Sequence, residues 1–273
     1  MSARIRIVSE QADHTTMLAY AAAVRARGHR VETLHPDVPD PDLSADLYLL
    51  KSRTPQAIRL AHRAEAAGAV VCNSADATAL CVDRAAMAAR AREAGVPFPP
   101  THAFAGPDAL AAPGRLILKS RHCRKDEPLP AVGTAAELRA TGWPDEPVVA
   151  QAFADGDGWD HKFWAVGDRI FAGLRRPPTA EAAPAGKRTV PVPDPSAASL
   201  DVVRAVGAAF GLHVYGVDII ATASGPLVVD INAFPGLSGL PDAADALAAL
   251  TGRLLTASPE TPAHPGRTTV AAK

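Results

Sequence analysis

The sequence predicts a mixed α/β (α+β) chain, with a parallel α/β unit first, a small strand–helix–strand unit next and an antiparallel unit last. Three patterns point to it. Over the first 80 residues, short apolar runs alternate with Ala-rich helical stretches across brief links, as in a parallel sheet with crossover helices. Between 115 and 151, two apolar runs flank one short helical stretch. From 160 onward, tight polar turns join neighbouring apolar runs, which gives hairpins.

Taken in order, 4–9 reads as the first strand and 13–27 as an Ala-rich helix stopped by Gly28, a natural residue just past a helix end. Strands follow at 31–34 and 46–51, then a helix over 55–67 closed by Gly68, then a strand at 69–72. Sites in parallel sheets lie beyond the carboxyl ends of strands. Those ends carry Ser9 and Glu10, then Lys51, Ser52 and Arg53, then Asn73 and Ser74. The run 83–94 is a helix capped by Asp83 or the residue before it, Gly95 ends it, and 96–101 is an extended connector. A strand at 115–119 ends in Lys119, and Thr134 with Glu137 forms a capping box for a helix over 134–140. A strand follows at 147–151, and 162–166 pairs with 169–174 through Gly167 and Asp168. A helix over 196–210 stops at Gly211, strands at 215–220 and 228–232 are joined by 222–225 as a β-hairpin or through a short connection, and 241–255 is a closing helix. The resulting divisions are 1–83, 84–150 and 151–258, with 259–273, rich in Pro, Thr and Ala, as a disordered tail.

Bulk properties exclude several classes. A net charge of −1 over 273 residues argues against a general nucleic-acid binder and gives no membrane-surface signal. No apolar run is long enough to span a bilayer, and the first residues lack a signal-peptide core. Cys72, Cys81 and Cys123 show no paired spacing, so free thiols in the cytoplasm are expected.

The most informative stretch lies near the C-terminal end. Asp218 sits in one apolar strand, and Asp230 and Asn232 sit in the next, followed by Ala233, Phe234, Pro235 and Gly236. Burying a carboxylate is costly unless a cation or donor meets it. Residues two apart on a strand face the same side, so Asp230 and Asn232 point together. An all-oxygen set suits a hard cation such as Mg²⁺ beside nucleotide phosphates. Asp160 and Lys162 likewise share one strand face, as partners in a pocket or as a cross-strand ion pair. Arg175 and Arg176 are adjacent, so at most one turns into a pocket, and the sequence does not choose between them.

These pieces, in this order, resemble the ATP-grasp superfamily. The resemblance implies an ATP-grasp fold, with a pre-ATP-grasp domain, a lid subdomain and a C-terminal ATP-binding domain. By that resemblance Asp218, Asp230 and Asn232 hold two Mg²⁺ ions, with Mn²⁺ as a substitute, against the phosphates of ATP. Lys119 would meet the α- and β-phosphates, and Lys162 would face the phosphates. Asp160 would lie near the ribose or substrate. Gln151 and Phe153 fall in the hinge that holds adenine. Arg84 stands beside Asp83 where many members carry Lys, and would meet a phosphate. Arg175 or Arg176 would neutralise the transferring phosphoryl group. One departure is plain: the lid loop 120–127 has no glycine, so backbone N–H groups approach phosphate less freely there. Arg121, Arg124 or Lys125 are the alternative charges.

The likeness covers roughly 69–255 and is greatest to the RimK-type ligases, with the Asp-Ile-Asn-x-Phe-Pro-Gly and Arg-Arg-Pro forms also resembling inositol trisphosphate 5/6-kinases. It implies a ligase that joins a small-molecule or peptide carboxylate to an amine through an acyl phosphate. The alternatives are an inositol-phosphate-kinase-like phosphotransferase, or a module that binds ATP without turnover. A near-neutral charge disfavours a highly phosphorylated substrate. No nucleic acid or membrane partner is expected, and a homodimer is implied by the pairing common among such proteins.

Overall fold

Three sheets organise the chain in the computed structural model, which describes residues 2–106, 109–123, 131–140, 146–176, 189–192 and 194–257. The tail 259–273, Arg124 and Lys125 of the lid loop, and Lys187 and Arg188, which the sequence offers as additions to the substrate site, lie outside the described residues.

The first sheet is parallel and contains β1 (Arg4–Val8), β2 (Arg30–Leu34), β3 (Leu47–Leu50) and β4 (Val70–Cys72), in the order β2-β1-β3-β4. Its central strand β3 is apolar throughout because both faces are covered. Leu47 and Leu49 pack with α1 (Thr15–Arg25) and α7 (Ala243–Thr256), while Tyr48 and Leu50 pack with α2 (Pro55–Ala66). The last described helix thus returns to the first sheet, and Tyr20 bonds Thr251 Oγ1 across α1 and α7 at 2.8 Å.

The second sheet is antiparallel: β5 (Thr101–Phe104), β6 (Arg115–Ser120), β7 (Ala131–Thr134) and β8 (Val148–Ala152), in the order β5-β8-β6-β7. It has its own small core of Leu116, Leu118, Val148 and Ala150 against Leu138 of α5 (Ala135–Ala140). The capping box forms: Thr134 N–H donates to Glu137 Oε2 at 2.7 Å, and Glu137 N–H to Thr134 Oγ1 at 3.3 Å. The expected division at 150/151 falls inside β8, whose pairing with β5 and β6 runs on to Gln151 and Ala152.

The third sheet contains β9 (Asp160–Val166), β10 (Arg169–Arg175), β11 (Val190–Pro191), β12 (Val214–Thr222) and β13 (Gly225–Ala233), in the order β11-β10-β9-β12-β13. All its pairs are antiparallel. Alternation decides its two faces. Phe163, Ala165, Val217, Ile219 and Ile231 turn to the helices α3 (Ala75–Val82), α4 (Arg84–Glu93) and α6 (Ala197–Phe210). Lys162, Asp218, Asp230 and Asn232 occupy the alternate positions. Gly211, at φ 65°, ends α6 in the left-handed conformation that glycine adopts at least cost. At Gly207 the helix lies so close to β12 that a Cβ would come within 2.3 Å of the Tyr215 hydroxyl oxygen.

The Asn73 side chain joins the first and third sheets. Its Nδ2 donates to Val214 O at 2.6 Å, and its Oδ1 accepts from the N–H groups of His213 and Val214 at 2.8 and 3.0 Å. Helix α3 and the short strands β5, β7 and β11 were not anticipated from the sequence. Among the described residues no helix is long and apolar enough to cross a membrane.

Candidate functional site

The site begins with one register row. Gly173, Lys162, Asp218 and Asp230 stand opposite one another across β10, β9, β12 and β13. Lys162 Nζ donates to Asp218 Oδ2 and lies 3.4 Å from Asp160 Oδ2. Burial works against its charge, yet the two aspartates outweigh burial and hold the ammonium above its usual pKa. The cross-strand ion pair considered from the sequence therefore forms, and it forms inside the cluster.

Next to this row the β12–β13 ladder slips. Asp218 pairs with Asp230 but Ile219 pairs with Val228, which leaves Val229 as an unpaired bulge residue. Its freed carbonyl accepts from Lys119 Nζ at 3.0 Å and from Gln151 Nε2 at 3.4 Å. Lys119 also donates to Gln151 Oε1 at 2.8 Å. The strand-end lysine of β6 and the glutamine of β8 are thus held against the third sheet by a local irregularity in β13. Burial pushes Lys119 below its usual pKa, with Asp230 opposing that shift.

Arg84 opens α4 behind Asp83, which caps the helix by accepting from Ala85 and Ala86 N–H. The Arg84 side chain is buried; it donates to Ser120 O at 2.7 Å, and its Nε lies 3.6 Å from Asp230 Oδ1. That carboxylate oxygen is buried and accepts no hydrogen bond. Asn232 Nδ2 donates to the other oxygen at 3.1 Å. Burial alone would raise Asp230, but Arg84, Lys119 and Lys162 hold it below the usual carboxylate range. Burial raises Asp218, and the charge of Asp230 adds to the rise. Asp230 is the stronger acid of the two and stays ionised at neutral pH.

The arginine pair separates. Arg175, opposite Asp160 in register, donates to Thr189 Oγ1 at 3.1 Å, and its positive charge acts on Lys162. Arg176 is exposed and stacks on the Trp159 ring at 3.9 Å. Phe153 lies just beyond β8 with Arg115 over its ring at 4.5 Å. Arg121 is committed to Asp83 by a two-pronged ion pair with a shortest contact of 2.7 Å.

One residue of the site escaped the sequence reading. Arg53, beyond the carboxyl end of β3, donates from Nη1 to Asn232 Oδ1 at 2.7 Å. Only its place at a strand end of a parallel sheet hinted at a role, and nothing local pairs it with a residue so distant in sequence.

The donor set fits a hard cation. Asp218, Asp230 and Asn232 supply only oxygens, and Asp230 Oδ1 is a buried acceptor without a hydrogen bond. Among the described residues no three His, Cys, Asp or Glu side chains converge on a metal position. Any ion therefore needs the carboxamide of Asn232 and oxygens from a ligand. Arg84, Lys119, Lys162 and Arg175 outnumber Asp160, Asp218 and Asp230, an imbalance suited to a polyanion such as a triphosphate. A depression of about 340 Å³ between 36–41 and α2 lies apart from these residues and gathers no comparable cluster.

Two antiparallel sheets facing each other through a lysine, an acid pair and an acid–Asn pair, beside a parallel N-terminal sheet, define the ATP-grasp fold. The solved RimK domain protein ATP-grasp from Sphaerobacter thermophilus DSM 20745 superposes with a TM-score of 0.75 at 19% identity, covering 93% of this chain and 100% of its own. The ATP-grasp ligase PsnB, solved with a phosphomimetic variant of a minimal precursor, Mg and ADP, gives a TM-score of 0.65 at 20% identity, covering 92% and 99%. The ATP-grasp fold expected from the sequence is borne out by these likenesses. Among curated proteins, a probable alpha-L-glutamate ligase of Xanthomonas campestris pv. campestris (strain B100) is 34% identical over 100 residues, 34% of this chain. The match spans only 33% of that relative's length. No family model matches the chain.

Proposed function

We propose that this chain is an ATP-dependent ligase that joins a carboxylate to an amine, using Mg²⁺ and ATP and passing through an acyl phosphate. The observation that carries it is the partly buried Lys162–Asp218–Asp230 row, ringed by Arg84, Lys119 and Arg175 between two facing sheets. The name of the Xanthomonas relative supports a ligase over a kinase and points to an amino acid or peptide as substrate. The Arg-Arg-Pro likeness to inositol-phosphate kinases draws no support, since Arg176 stacks on Trp159 and Pro177 lies outside the described residues.

Each residue has a definite task in this reading. Asp218, Asp230 and Asn232 would hold Mg²⁺, one ion or two, which supplies charge neutralisation at the β- and γ-phosphates. Lys119 and Lys162 hold the phosphates, and Arg84 keeps Asp230 ionised. Gln151 and Phe153 border the adenine position. Arg175 faces the phosphoryl group as it leaves ADP. A substrate carboxylate oxygen attacks the γ-phosphorus, the bond to the bridging oxygen breaks, and ADP departs. The amine then attacks the acyl carbon, loses a proton, and phosphate leaves. Cys72 and Cys81 are buried free thiols, which suits a reducing compartment such as the cytoplasm.

A coupled assay for ADP tests the reading. ADP release that needs both an acid and an amine is the expected result, with amino acids and short peptides as the panel. Release with a polyol alone would establish a kinase, and nucleotide binding without turnover would establish a binding module.

A further inference from the structure

Two cations at the carboxyl end of β3 have no counter-ion among the described residues. Lys51 Nζ donates to the Phe234 carbonyl at 3.1 Å and lies 5.7 Å from the Phe234 ring centroid. Arg53 Nη1 donates to the carboxamide oxygen of Asn232. Both partners are neutral, and neither cation makes an ion pair with a carboxylate among the described residues. Arg84, Arg121 and Lys162 each have at least one. Glu10 acts on Lys51 only at longer range, and burial together with Arg53 brings the Lys51 pKa down to about 8. His14 stands near enough to feel the charge of Lys51, and its buried Nδ1 has no hydrogen-bond partner. Two partly buried cations facing neutral oxygens are costly to maintain. They sit where parallel sheets bind ligands, beyond the carboxyl ends of strands.

We infer that Lys51 and Arg53 form the dock for a carboxylate of the acid substrate, on the N-terminal side of the β12–β13 hairpin. This rests on the ligase reading. In that reading the phosphates already have Lys119 and Lys162, and Arg84 is committed to Ser120 O and Asp230. Arg53 instead touches Asn232 at the edge of the ligand set, next to where a carboxylate must lie to take the phosphoryl group. The flat guanidinium fork matches a carboxylate in geometry, and the Lys51 ammonium adds a second charge without directional demands. The substrate class is therefore a compact carboxylic acid that presents its anion to the first sheet.

The test is calorimetric titration of the full-length chain with succinate and L-glutamate, and with succinamide as the uncharged control. The wild type binds at least one of the two acids and not the amide. Arg53→Gln and Lys51→Met each weaken that binding tenfold or more, Arg53→Lys recovers part of the loss, and ATP affinity stays within threefold. Far-UV circular dichroism confirms the fold, and Arg53→Lys with Lys51→Met decides the matter should Arg53→Gln not fold. The dock is overturned if the wild type binds neither acid, if both variants bind as the wild type does, or if ATP affinity falls in parallel. In turnover, a raised KM for the acid with an unchanged KM for ATP supports it. Acid-dependent ADP release with an unchanged acid KM sinks the dock alone. Acid binding through Lys51 and Arg53 without ADP release from any acid–amine pair sinks the ligase reading alone.

Discussion

Asp230 holds together more charge than any other single residue of the site, because Arg84, Lys119 and Lys162 all lean on it. Replacing it with the isosteric amide removes an anion from a buried network, and breaking a buried pair costs about 3–5 kcal/mol. Asp230→Asn should lower turnover by about 10²–10³-fold, the scale for losing one preorganised electrostatic group, and should lower the melting temperature as well. Steady-state kinetics at low temperature beside calorimetry checks this, and unchanged turnover removes Asp230 from the metal set. Lys51 gives a prediction with a sign. Its pKa falls from 10.5 to about 8 on folding, so between those values the unfolded chain binds the extra proton and stability at this position rises with pH. Below pH 8 both states are charged and the full penalty is present. Lys51→Met should therefore be more stable than wild type at pH 7, by a margin that shrinks toward pH 10; a margin independent of pH in urea unfolding contradicts it. Asp160, Lys162, Asp218, Asp230 and Asn232 were legible because strand alternation announces which residues share a face. Arg53 was not, since its partner lies 179 residues away and no local pattern encodes that contact. The choice between Arg175 and Arg176 also needed the Trp159 ring in place.

At the level of elements, the helices and the hairpins declared themselves through caps and glycines. Gly28, Gly68, Gly95 and Gly211 each stand just beyond a helix at positive φ. Helix α3 has a cap in Ser74, whose Oγ accepts from Ala77 N–H, but no closing glycine: its eight residues run directly into the cap of α4. Strand β5 hid behind a proline-rich connector, since β-pairing with β8 is a tertiary event that local propensity does not announce. The bulge at Val229 was equally silent, though it is what frees the carbonyl that Lys119 and Gln151 share. Packing of α6 on β12 can be tested at Gly207. Alanine would gain about 1 kcal/mol of helix propensity, but its Cβ would meet the Tyr215 phenol, whose hydroxyl donates to Val203 O at 3.0 Å. Overpacking of this kind costs about 1–3 kcal/mol, so Gly207→Ala should destabilise the chain. The loss should be smaller in a Tyr215→Phe background, where the closest clashing atom is gone. Chemical denaturation of the four proteins of the cycle measures the coupling, and strict additivity rejects the contact.

Across the whole molecule, the net charge of −1 conceals a strongly basic interior cluster. Charge balance read from composition therefore says little about what the cleft attracts, because surface acids offset buried cations in the sum. A polyanion that enters the cluster relieves that local excess and binds only the folded chain. Mg-ATP at a hundredfold excess over its Kd should stabilise the fold by about 2.7 kcal/mol, seen as a rise in melting temperature that EDTA diminishes; no shift with nucleotide would remove the site. The fold class was legible because each sheet is built from local alternation, whereas the way the sheets face one another rests on contacts between remote residues. The Asn73 carboxamide has a mechanical consequence. By clasping the backbone of His213 and Val214, it fastens the parallel sheet to the third sheet through one side chain. The sheet of β6 and β8 keeps a core of its own and meets that fused pair mainly through polar reach, from Lys119 and Gln151 to the Val229 carbonyl and from Arg84 to Ser120 O.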